Sequence, residues 1–197
     1  MTTPTQLTTD PRPLYTAATA WVTELLAGVD DAQLHHPTPC TEFDVKTLSR
    51  HLVATVGRAA VVGEGGDFST VPVLADAYDV AAYSAAAERA ARAWHDDEKL
   101  TTLVTVPWGQ VPGAGALWGY LNETLVHGWD LAVATGQPAE ADPSLVRPTL
   151  EAAKGFLPEH IRASDEVPFG AVVTPRPAAG LTEQLANWSG RAFFDRN

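Results

Sequence analysis

The sequence predicts a mainly α fold with a short β-hairpin and a small C-terminal extension. Three observations carry this prediction. Apolar residues recur at helical spacing in several separate stretches. Two aspartate–proline pairs read as helix starts. One β-branched run is followed directly by a turn and a short return. A length of 197 residues suits one domain with a single substantial core.

Residues 1–9 are polar and threonine-rich, and read as loose. Asp10-Pro11 opens the first helix, with Asp10 as N-cap and Pro11 at the first helical position. Leu14, Ala18, Trp21, Val22, Leu25 and Val29 keep helical spacing, so this helix runs to about residue 28. Pro37 and Pro39 stiffen the next loop against helix. Thr41 and Asp44 have capping-box spacing, with aspartate in place of the usual glutamate. The second helix follows, with Val45, Leu48, Leu52 and Val56 facing inward and His51 between Leu48 and Leu52 in angle. Gly57 to Pro72 reads as a mobile, glycine-rich loop. Residues 75–95 are alanine-rich and helical, with Tyr78 and Trp94 adding bulk. Thr101 to Val106 reads as a strand, Pro107-Trp108-Gly109-Gln110 as a turn, and Val111 as the start of a return strand. Gly113 and Gly115 precede a long helix that ends near Thr135-Gly136. Asp142-Pro143 repeats the start signal, and Pro148 and Pro158 are expected to kink or interrupt the segment from there to about Arg162. Val167 to Val173 reads as extended, and a last helix from Leu181 to Trp188 stops at Gly190.

The composition bounds the function. The formal net charge of −11 argues against nucleic acid or an anionic membrane as the main partner, because both favour a basic surface. The one cysteine, Cys40, cannot form an internal disulfide, which fits a reducing compartment. No signal peptide and no apolar run of about 20 residues is visible, so a cytoplasmic location is expected.

The stretch Leu117 to Leu131 places Glu123 and His127 four residues apart, one above the other on a helix face. Tyr120 and Asp130 fall near the same line, and Leu117, Leu121, Leu125 and Leu131 surround it. A carboxylate and an imidazole on an inward face need a partner. A divalent metal is one, and His51 is the third ligand nominated. Such pairs are common in helices. On spacing alone, a hydrogen-bonded or surface pair with an ordinary buried histidine is the simpler reading.

The segments Pro37 to Val45, Leu48 with His51-Leu52-Val53, and Glu123 to Ala132 with Thr135-Gly136 together resemble the DinB-like metal-binding superfamily. The resemblance is greatest to the actinobacterial branch related to the metal-binding domain of mycothiol-dependent maleylpyruvate isomerase. It extends over nearly the whole chain, including Pro168-Phe169-Gly170 and Leu181 to Arg191. It implies a four-helix bundle occupying 1–197 as one domain, with a metal held by His51, Glu123 and His127. Phe43 stands where relatives often carry tryptophan. The isomerase has a further C-terminal domain that this chain is not expected to contain, so its substrate and thiol-binding residues are not carried over.

Two histidines and one carboxylate leave coordination positions open, as at reactive rather than closed structural sites. The ligands suit zinc, and also nickel, manganese or iron(II). The function expected is a metal-dependent enzyme that uses a low-molecular-weight thiol, mycothiol by family analogy, for S-transfer to a small electrophile or its isomerisation. The alternatives are a metal-dependent hydrolase, a non-catalytic metal- or ligand-binding module, and a bundle whose site has decayed. The partner expected is a small-molecule substrate, with a homodimer left open. Cys40 reads as a small buried hydrophobe, or else as a thiolate activated near a helix start. Asp130 and Tyr120 could act on the ligands from behind. His160 reads as exposed, or else as a fourth ligand, and Trp108, Trp118 and Trp129 are expected to be core or pocket wall.

Overall fold

The computed structural model describes residues 10–163 and 170–193. Helix α1 spans Pro11–Ala27, and the Asp10 carboxylate accepts from the Arg12 amide at 2.9 Å as its cap. Helix α2 spans Val45–Gly63. The capping box expected from Thr41 does not form. Asp44 itself is the N-cap and accepts from the Thr47 amide at 2.7 Å, so the helix begins three residues later. At its other end α2 continues through Gly57 to Gly63, and the glycine-rich loop starts only at Glu64. The run Arg58-Ala59-Ala60-Val61-Val62 buries Ala59, Ala60 and Val62, and this packing outweighs the modest cost of one interior glycine.

Helix α3 spans Val80–Ala93, starting later than the alanine content suggests because Asp79 caps the Ala82 amide. A single turn, α4, covers Glu98–Thr101. Strands β1 (Leu103–Val106) and β2 (Gly109–Pro112) pair antiparallel around Pro107-Trp108, as expected, with Val106 opposite Gly109. Helix α5 spans Gly113–Thr135 and ends at Gly136, whose φ of 75° is a left-handed cap. Helix α6 spans Pro143–Phe156 and passes through Pro148 without stopping. Its inward residues Val146, Leu150 and Ala153 are buried, so packing holds the turn that lacks one amide donor. Helix α7 spans Leu181–Trp188. Within the stretch expected to be extended, Gly170 to Val173 forms no strand, and residues 167–169 lie outside the described part.

Helices α1, α2, α3 and α5 form a four-helix bundle. Helix α2 packs against α3 and α5, and α1 packs against the same two from the opposite side. Ala18, Val22, Leu48, Leu52, Val56, Leu121 and Leu125 fill its centre, each at most 1% exposed. Burying one such leucine or valine is worth about 1.5–3 kcal/mol. Helices α6 and α7 pack on each other and on α5, which leaves α5 buried nearly all round. Among the described residues, no helix is long and apolar enough to cross a membrane.

Candidate metal centre

The site lies where α2 and α5 run side by side. His51 comes from the second turn of α2, and Glu123 and His127 are adjacent turns of α5. One ligand atom from each lies within 4.8 Å of the other two. The two imidazole rings are 4.9 Å apart, nearly edge to face. Glu123 Oε2 is 3.5 Å from His127 Nε2. The structure therefore brings together all three residues nominated from the sequence, although 72 positions separate His51 from Glu123 (123 − 51).

Each histidine has one nitrogen tied to an oxygen. His51 Nδ1 is 3.2 Å from the Val73 carbonyl, and a carbonyl can only accept, so Nδ1 carries the proton. His127 Nδ1 is 3.0 Å from Asp130 Oδ2, which fixes its proton in the same way. That leaves Nε2 of each ring as the nitrogen available to a cation, and His127 Nε2 faces Glu123. Imidazoles that ligate a metal commonly have this arrangement, with the outer nitrogen held by a carboxylate or carbonyl. His51 Nε2 meets the Thr55 hydroxyl at 3.3 Å, an acceptor position for the ring.

Electrostatics divides the two histidines. Burial, followed by the neighbouring His127, pushes the pKa of His51 down to about 4, which leaves its ring neutral with a lone pair available. Burial also opposes charge on His127. Hydrogen bonds to Asp130 and Glu123, with their charges, outweigh it and raise the pKa of His127 to about 9. Burial would raise Glu123, yet the hydrogen bond from His127 and the charge of that ring hold it below the usual range. The donor set of two imidazoles and one carboxylate fits a divalent cation of the zinc, nickel, manganese or iron class.

Behind His127 lies a second layer. Asp130 is fully buried, and its Oδ2 also accepts from Arg191 Nε at 3.1 Å. Arg191 Nη2 lies 3.4 Å from Cys40 Sγ. Cys40, His127 and Asp130 also have ligand atoms within 4.8 Å of one another, but the Arg191 guanidinium already bonds to both Cys40 and Asp130. Burial pushes the Cys40 thiol up to about 11. Cys40 is a half-buried thiol whose surroundings disfavour the thiolate.

The remaining histidines stand apart. His35 is exposed and faces Asp44 at 3.2 Å, and His36, His95 and His160 are also exposed. Trp118 and Trp129 are core, whereas Trp108 is 46% exposed at the hairpin tip. Sequence reasoning missed Thr55, the Val73 carbonyl and Arg191. Thr55 was detectable as the i+4 neighbour of His51. Nothing local marks Val73 or Arg191, because tertiary packing alone brings them to the site.

No solved structure matches the chain. Two relatives from Mycobacterium tuberculosis, the uncharacterized proteins Rv0738 of strain H37Rv and MT0763 of strain CDC 1551 / Oshkosh, are each 34% identical over 172 residues, covering 85% of this chain and 90% of their own length. The model for the mycothiol maleylpyruvate isomerase N-terminal domain matches residues 15–132, which takes in most of α1, most of α5, everything between, and all three candidate ligands. The chain belongs to the mycothiol maleylpyruvate isomerase N-terminal domain family.

Proposed function

We propose that the protein is a metal-dependent enzyme in which a low-molecular-weight thiol reacts with a small electrophile. His51, Glu123 and His127 would hold the cation, with zinc the first choice. One observation carries the reading. Two imidazoles and a carboxylate, from two helices, converge within 4.8 Å while each Nδ1 is tied to an oxygen from behind. A hydrogen-bonded core pair accounts for Glu123 and His127 but gives no reason for His51 to present a neutral nitrogen to them.

A cation held by three protein groups keeps positions open and favours the thiolate form of a bound thiol. The family's name points to mycothiol as that thiol. The residues of the chain do the positioning. Val73 and Asp130 fix the ring orientations, and the Glu123 carboxylate balances part of the positive charge. In transfer, the thiol sulfur bonds to the electrophilic carbon while the leaving group departs with its electron pair. In isomerisation, the sulfur adds across a double bond, the new single bond rotates and the thiol is expelled. Both routes need the site to hold the thiol and electrophile within reach of one another.

Elemental analysis of untagged protein, followed by a conjugation screen with mycothiol, tests both halves. Stoichiometric metal and thiol-dependent turnover are expected. Turnover should be lost in His127→Ala with an unchanged circular-dichroism spectrum. Metal-free protein, or full activity in that variant, would sink the proposal.

A further inference from the structure

The strap between α2 and α3, residues 64–79, doubles back along α2. Its backbone is extended where it leaves the short turn Phe68–Thr70, with Val71 at φ −99° and ψ 122°. In an extended chain alternate carbonyls point the same way. Here the Val71, Val73 and Ala75 carbonyls all accept from side chains of α2. Arg58 Nε and Nη2 donate to Val71 at 3.3 and 3.2 Å, His51 Nδ1 to Val73 at 3.2 Å, and Arg50 Nε to Ala75 at 2.6 Å. The Ala75 amide returns a bond to the Arg50 carbonyl at 3.2 Å. Further on, Lys46 Nζ stands 5.3 Å from the centre of the Tyr78 ring. As the strap positions rise from 71 to 78, their partners on α2 fall from 58 to 46, so the strap runs antiparallel to the helix. That much extended chain covers about 23 Å and that much helix about 18 Å, so the strap lies nearly straight against α2.

The strap is lightly held. Phe68 and Ala75 pack against the core, but no residue from 64 to 79 is buried. Hydrogen bonds from side chains therefore do most of the holding, and an element with so little apolar burial opens at low free-energy cost. One of those bonds belongs to a candidate ligand. Through a single ring, His51 offers Nε2 to a cation and Nδ1–H to the Val73 carbonyl. A cation at Nε2 draws electron density from the ring and makes Nδ1–H a stronger donor. The docked carbonyl in turn keeps the proton on Nδ1 and the Nε2 lone pair free. Arg58 and Arg50 grip the strap on either side of Val73, and neither is among the three candidate ligands.

We propose that the strap is a conformational element coupled to the candidate metal centre: a cation bound at His51 fastens the strap to α2, and the fastened strap tightens the hold on the cation. Arg50 and Arg58 are positioning residues that clamp it. The coupling rests on the metal reading above. By linkage, the factor by which the cation favours docking equals the factor by which docking favours the cation, and such factors typically lie at about 5- to 150-fold.

The test uses the full chain, with and without zinc, and reads hydrogen exchange of the Ala75 amide by NMR. Zinc should slow that exchange about tenfold. The Lys99 amide, bonded to the Asp96 carbonyl at the start of α4, should keep its rate. Arg50→Met combined with Arg58→Met keeps apolar stems and removes the donors. In zinc-free protein this double change should speed Ala75 exchange. By chelator competition it should weaken zinc by the same factor that zinc slows exchange in the wild-type protein, and lysine at both positions should recover part of each effect. Zinc that binds the wild-type protein and leaves Ala75 exchange unchanged overturns the coupling while the metal reading stands, and this arm needs no variant to fold. Unchanged zinc affinity in a folded double variant whose Ala75 exchange has accelerated overturns it as well. A wild-type protein that binds no zinc removes the metal reading and the coupling together.

Discussion

His127 has both ring nitrogens committed, one to Asp130 and one facing Glu123. A ring between two carboxylates holds its proton, while a cation needs that proton gone. The two demands pull in opposite directions with pH. The pKa of His127 rises from 6.5 to about 9 on folding, so its pairing stabilises the metal-free fold fully below about pH 6.5. That contribution fades as pH rises through about 9. Metal binding at Nε2 displaces the proton, so affinity should climb over the same interval and level off above it. Calorimetry in two buffers of different ionisation enthalpy should show proton release at pH 7 that vanishes near pH 10. Asp130→Asn removes the charge that orients the ring, and should weaken metal binding about 10- to 100-fold, read by chelator competition. Cys40, with its thiol raised to about 11, should react slowly with iodoacetamide at pH 8 and faster with each step toward pH 11. A rate already maximal at pH 8 would contradict its environment.

Helix α5 is the element the rest packs around, and two of its glycines mark where neighbours come closest. A Cβ on Gly119 would collide with the Trp108 ring, and one on Gly128 with the Trp21 ring from α1. Alanine at position 128 gains about 1 kcal/mol of helix propensity. Overpacking typically costs about 1–3 kcal/mol. Collision should win at this helix contact, so Gly128→Ala is expected to lower the melting temperature, checked by thermal denaturation. At this scale much was legible in the sequence. Asp10-Pro11 and Asp142-Pro143 marked two helix starts, and Pro107-Trp108 marked the hairpin turn. Local hydrogen bonding decides these features, and local sequence carries it. The ends of α2 were less legible. Asp44 rather than Thr41 caps it, and interior packing carries it past Gly57.

At the scale of the whole molecule, the C-terminal segment after α7 returns to the candidate metal centre through Arg191, outside the matched residues 15–132. Asp130 is fully buried, and Arg191 is the cation that faces it together with His127. Removing one partner of a buried pair costs about 3–5 kcal/mol. Arg191→Ala should therefore destabilise the fold by roughly that much in urea titration and weaken metal retention as well. Unchanged values would show that Asp130 needs only His127. The sequence by itself determined the helical character, the hairpin, and the Glu123–His127 pair, because spacing on one helix is a local property. Only the tertiary structure decided that His51 meets that pair, that Val73 and Asp130 orient the rings, and that Arg191 closes the site from behind. Those contacts join residues far apart in the chain, and they exist only once the bundle has packed around α5.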